Sequence, residues 1–124
     1  MRLGRYFMEG VPLHVIQRGN NRGQVFFTKQ DAGDFLAWLK EAAADTGVSV
    51  HAYVLMPNHI HLLASPAKPD SLPKCMQTLG RRYVRAVNYR HGRSGSLWEG
   101  RYRATAVDTE RYFMLCSRYI ELNP

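Results

Sequence analysis

Two histidines flank one hydrophobic residue in the segment Tyr53-Val-Leu-Met-Pro-Asn-His59-Ile60-His61-Leu-Leu. On a β-strand successive side chains alternate faces, so both imidazoles project from one side and Ile60 from the other. Two imidazoles side by side on a sheet can share a divalent cation. An HxH pair alone is more often hydrogen-bonded than metal-ligating, so a metal reading needs a third ligand, and chemistry needs a nucleophile. Both residue types occur in Tyr119-Ile-Glu-Leu-Asn123-Pro124. Residues four apart share a helix face, so Tyr119 and Asn123 are expected to project together. A tyrosine oxygen beside a metal-bound phosphate can attack it and form a covalent phosphotyrosine. An asparagine oxygen one turn on can complete the ligand set. Two imidazoles and a carboxamide oxygen, with water filling the shell, suit Mg2+ or Mn2+. They do not suit a closed structural zinc site, which needs four protein ligands. A free tyrosine has a pKa near 10, so a base or the metal must help remove its proton. The sequence does not name that base.

These residues need a sheet and a helix to bring them together. Leu13–Arg18 reads as a first strand, ended by Gly19-Asn-Asn-Arg-Gly23. Apolar residues Phe35, Leu36, Leu39 and Ala43 recur at helical spacing, predicting a helix over 30–46 with Gly47 as its stop. Residues 48–56 form a second strand, Pro57-Asn58 a tight turn, and residues 59–64 a third strand antiparallel to the second. Pro66, Pro69 and Pro73 punctuate a loop and the first turn of a second helix over 72–89. Its apolar stripe is Leu72, Cys75, Met76, Leu79, Tyr83 and Val87. A short strand over 103–107 follows, and Asp108 or Thr109 caps a last helix. The order β-α-β-β-α-β-α predicts an α+β fold of the ferredoxin-like, split βαβ kind. Helices would cover one sheet face. His59 and His61 would lie on the other, where the last helix could meet them.

The chain has 124 residues, 45% of them hydrophobic and 22% charged, which fits one soluble domain spanning 1–124. No apolar run approaches the roughly 18 residues of a membrane span, and the first residues lack a signal peptide's apolar stretch. A cytoplasmic protein is expected. Cys75 and Cys116 are far apart with no CxxC, and are read as reduced, buried side chains. The net charge is +7 and the pI about 9.8, which favours a polyanionic partner, nucleic acid before membrane. The charge is concentrated: Arg81, Arg82, Arg85, Arg90, Arg93, Arg101 and Arg103 share one stretch with Glu99 as its only acid, and Tyr83, Tyr89 and Tyr102 interleave. Guanidinium forks match phosphates, and aromatic rings stack on unpaired bases. Arg18, beside the first glycine turn, joins this candidate DNA-binding set.

Four stretches, Gly10-Val-Pro-Leu-His-Val-Ile-Gln-Arg-Gly-Asn-Asn-Arg22, Met56-Pro-Asn-His-Ile-His61, Arg93-Ser-Gly-Ser-Leu-Trp-Glu-Gly-Arg-Tyr102 and Tyr119-Ile-Glu-Leu-Asn-Pro124, together resemble the single-tyrosine HUH transposases. Within that group the chain is most similar to the REP-associated tyrosine transposases. The resemblance implies a ferredoxin-like, metal-dependent endonuclease and strand transferase acting on single-stranded DNA near hairpins of REP type, as a monomer or homodimer. It assigns His59 and His61 as metal ligands, Tyr119 as nucleophile and Asn123 as the polar ligand one turn later. It assigns no individual role to Trp98, Glu99, Gly100 or Arg101. Relatives continue past the Asn-Pro, so the domain is expected to be C-terminally truncated. The main alternative is a non-catalytic module that grips DNA hairpins. A water-using phosphoesterase is less well supported, because Leu62-Leu63-Ala64 rather than acidic ligands follow the histidines.

Overall fold

The structure is a computed structural model and describes residues 11–107. Tyr119, Asn123, Cys116 and the expected last helix lie outside the described residues. Strand β1 is Leu13–Arg18, helix α1 Lys29–Thr46, β2 Val48–Met56, β3 His59–Pro66, α2 Ser71–His91 and β4 Arg103–Ala106. The strands form an antiparallel sheet in the order β2-β3-β1-β4. This is the expected ferredoxin-like order, with element limits close to those read from the sequence. β3 runs on to Pro66, although its pairing with β1 stops at Ala64. Beyond that point a proline on this side removes no ladder hydrogen bond.

Local chemistry sets the helix ends. The Thr28 hydroxyl accepts from the Asp31 backbone while the Asp31 carboxylate accepts from the Thr28 backbone, a complete capping box. Gly47 ends α1 and Gly92 ends α2, both in the left-handed region at φ 80° and 63°, where a side chain is strained. Both helices lie on one side of the sheet. Leu13 and Val15 of β1 and Ile60, Leu62 and Ala64 of β3 alternate inward to meet Phe35 and Leu39 of α1 and the predicted α2 stripe from Leu72 to Val87. Burying each large apolar side chain is worth about 1.5–3 kcal/mol. The Tyr83 hydroxyl, inside this layer, donates to the Val25 carbonyl at 2.5 Å. The opposite sheet face carries a smaller cluster of Val54, Leu63 and Val107. None of the described helices is long and apolar enough to cross a membrane.

A polar clamp joins the start of α1 to the end of α2. The fully buried Asp31 carboxylate accepts from the Phe27 and Thr28 backbones and from His91, and pairs with Arg90. Arg90 also reaches Asp34 at 2.5 Å. Burial alone would push the Asp31 carboxyl up, but the Phe27 amide, Arg90 and His91 together hold it below the ordinary range.

Candidate active site

The register of the sheet defines the face opposite the helices. Met56, His59 and Arg18 form one cross-strand row; Val54, His61, Ile16 and Arg103 form the next; Ala52, Leu63, His14 and Thr105 form a third. His59 and His61 therefore share the open face, as their spacing predicts, with ring centroids 5.0 Å apart. His61 is buried and His59 partly so. Burial, then the nearby His59, His14 and Arg18, lower the His61 pKa to about 4. Burial first, then Arg18, lowers that of His59. Both imidazoles are thus neutral at pH 7, the form that can offer a lone pair to a cation.

Each ring also has a fixed partner. His59 Nδ1 lies 2.8 Å from Asn58 Oδ1, and His61 Nδ1 lies 3.1 Å from His14 Nε2. His14 is the diagonal cross-strand neighbour of His61, within reach of a long ring. Its own pKa is lowered by burial. His51 instead contacts Ser65 at 2.8 Å, and His91 belongs to the Asp31 clamp.

As a divalent-cation site, the neutral pair fits as two ligands of an open shell. No group of three or more His, Cys, Asp or Glu side chains among the described residues could hold an ion. His59 and His61 are the residues that would hold it.

Three loops meet at the histidine end. Gly19 N–H donates to the Asn58 carbonyl at 2.8 Å, Val25 N–H to Pro57 at 2.7 Å, and Asn20 N–H to Leu97 at 2.9 Å. Gly19 is obligatory there, since a Cβ would sit 2.1 Å from the Gly23 carbonyl oxygen. Asn21 and Arg22 take positive φ, 53° and 60°, uncommon for non-glycine residues. Trp98, whose role the sequence left open, bridges to Gly19 and packs near Phe35 and Tyr83. It anchors this junction to the core.

The arginines do not form one surface. Arg18 and Arg103 occupy the histidine rows of the open face. Arg81, Arg82 and Arg85 are exposed on α2, in the layer on the other side of the sheet. Arg82 pairs with Glu41 at 3.3 Å and lies over the Trp38 ring. Arg81 and Arg85 line a groove of about 580 Å3 with Ser96 and Trp98. Arg93 donates to Asn88 Oδ1 at 2.7 Å, and Arg101 is exposed beside Tyr102. Arg90 is taken up by Asp31 and Asp34, which gives it a structural task instead of a free charge.

Among curated protein sequences none matches the chain. A REP-associated tyrosine transposase solved bound to a REP hairpin shares the fold, with a TM-score of 0.79 over 97% of this chain and 70% of that one, at 17% identity. A protein from Deinococcus radiodurans R1, described as a transposase in its crystal structure, superposes with a TM-score of 0.64 over 98% of this chain and 96% of that one, at 26% identity. The sequence pattern of the family described as "Transposase IS200 like" matches residues 8–123, a span that takes in the histidine strand, the arginine stretch and Tyr119. The chain belongs to the IS200-like transposase family.

Proposed function

We propose that this transposase cuts and rejoins single-stranded DNA beside a hairpin, using Tyr119 as its nucleophile. The observation that carries the reading is the pair of neutral imidazoles, His59 and His61, on the open sheet face with Arg18 and Arg103 in the same rows. The family match and the REP hairpin bound by a protein of the same fold support a hairpin substrate. Arg18 and Arg103 would bind the phosphates of the strand entering this face. Arg81, Arg82, Arg85, Arg93 and Arg101 would hold flanking DNA. A Mg2+ or Mn2+ ion held by His59, His61 and Asn123 would supply positive charge at the scissile phosphate.

Tyr119 Oη would form a bond to phosphorus as the bond from phosphorus to the 3′-oxygen breaks. The products are a 5′-phosphotyrosine and a free 3′-hydroxyl: the proton lost from Oη is balanced by the one the departing 3′-oxygen takes up, exchanged through solvent. A 3′-hydroxyl attacking the phosphotyrosine reverses the reaction and joins strands. The reaction would take place in the cytoplasm, by a monomer or a homodimer. Incubation with Mn2+ and single-stranded hairpin DNA tests the reading. A denaturant-resistant adduct that Tyr119→Phe abolishes, with DNA binding intact, is the expected result. An adduct that survives Tyr119→Phe refutes the nucleophile. A salt-sensitive complex without any adduct identifies a binding module instead.

A further inference from the structure

The three tyrosines that interleave with the arginines between Arg81 and Arg103 have different fates in the fold. Tyr83 is fully buried, its hydroxyl on the Val25 carbonyl. Tyr102 packs against the core with its hydroxyl enclosed. Tyr89 stands 91% exposed, the most exposed large hydrophobic side chain among the described residues. It makes no hydrogen bond or ring contact among them. A lone exposed ring on a helix is ordinary; its surroundings are not. Arg81, Arg85 and Tyr89 follow one another four residues apart, so they form one line along α2, about 6 Å per step. α2 has no acidic residue. Arg81 and Arg85 are exposed, and neither has an ion pair among the described residues. Small Ala86 leaves a groove of about 410 Å3 between Tyr89 and Trp38 of α1, with Arg82 and Arg85 on its walls. Arg82 is committed, 4.4 Å over the Trp38 ring and 3.3 Å from Glu41. That leaves the Tyr89 ring as the uncovered aromatic face and Arg85 as the uncommitted cation. Arg85 also lines the groove of Arg81, Ser96 and Trp98, so it joins the two.

Unneutralised arginines alone attract any polyanion. A bare ring in line with them selects a polyanion whose bases have exposed faces, because base and ring stack without regard to sequence. In a duplex those faces are already stacked on each other. We propose that Tyr89 is a base-stacking residue: its ring takes the face of an unpaired base of single-stranded DNA while Arg81 and Arg85 hold neighbouring phosphates. The proposal rests on the single-stranded DNA substrate of the proposed function, not on the cutting step. It assigns the outer face of α2 to an unpaired strand instead of a hairpin stem.

Fluorescence anisotropy with the full chain in EDTA tests this on three probes: a short oligo(dT), an equally long strand of abasic residues, and a hairpin without unpaired flanks. Tyr89→Ala weakens oligo(dT) binding about 5–150-fold. It leaves affinity for the abasic strand and the bare hairpin, and the salt slope, at wild-type values. Tyr89→Phe keeps the ring and binds oligo(dT) as the wild type does. Arg85→Gln weakens both single strands and lowers the salt slope by about 0.7. Tyr89→Ala replaces a solvent-exposed side chain by a stronger helix former, so the fold is retained. Wild-type affinity of Tyr89→Ala for oligo(dT) overturns the proposal. Equal losses on oligo(dT) and the abasic strand overturn it too, since the ring then reads no base. So does a Tyr89→Phe chain as weak as Tyr89→Ala. If the proposal fails in any of these ways while the Tyr119 adduct still forms, the proposed function stands. A wild-type chain that binds neither single strand defeats both.

Discussion

Among the described residues of the open face, His61 has the most strongly lowered pKa. Its pKa, lowered to about 4 by burial and then by His59, His14 and Arg18, lies below the roughly 6.5 of an unfolded chain. Between those values the unfolded state binds more protons than the folded one, so stability rises with pH in that window. As pH falls from about 6.5 to 4, His61 favours unfolding; His14 and His59, also lowered, act in the same direction. The midpoint of urea unfolding is expected to decline through this range. His61→Gln should make the decline shallower without removing it. A His61→Gln profile parallel to the wild type would show that another group is responsible. The same shift leaves the imidazole neutral where cation binding would take place, so a ligand role would come at the cost of acid stability.

At the scale of elements, the Asp31 clamp holds α1 to α2. Removing a buried acceptor leaves the donors around it unsatisfied, at about 1–3 kcal/mol for each group that stays buried. Asp31→Ala leaves the Arg90 and His91 side chains without their shared acceptor, and two backbone amides at the α1 start without their carboxylate. A loss of that order in chemical denaturation is expected; a loss under about 1 kcal/mol would show that the clamp is dispensable. Its acid sensitivity differs from that of the histidines. A carboxyl with a depressed pKa keeps its contribution above the unfolded value near 3.8 and loses it only as pH falls through its lower folded value. None of this was legible from the sequence, where Asp31 is an unremarked residue of the predicted first helix and Arg90 one of a basic run. Their contact spans 59 positions, and only the packing of two helices creates it. Local signals did better. Gly47, the Pro57-Asn58 turn and the α2 stripe from Leu72 to Val87 mark their elements because turn geometry and 3.6-residue periodicity act over a few residues. His14 falls between. Alternation places it on a definite face of β1, but its contact with His61 needs the β1–β3 register, which no local pattern states.

Across the whole molecule, the sheet separates Arg103, which joins Arg18, from Arg81 and Arg85, although Arg81 to Arg103 form one stretch in sequence. Arg18 and Arg103 share rows with the histidines, whereas Arg81 and Arg85 line a groove in the helical layer on the other side. The Ser96–Trp98 loop links these regions, since Leu97 and Trp98 pair with Asn20 and Gly19 at the histidine end while Ser96 and Trp98 wall the groove. A DNA strand on the open face could continue around this edge into the groove. The two groups should then fail differently. Replacing Arg81 and Arg85 by Gln would then remove proposed phosphate contacts remote from the scissile bond. Binding to hairpin DNA should weaken, and the slope of log affinity against log salt should fall by about 1 per lost contact, while adduct formation at saturating DNA is unchanged. Arg103→Gln removes a charge from the row that holds His61, across Ile16, so adduct formation at saturating DNA should slow even where affinity is restored by low salt. Equal salt slopes for wild type and the Arg81/Arg85 double variant would remove the helical groove from the DNA path. A slowed adduct step in that double variant would mean that the sheet does not separate holding from cutting.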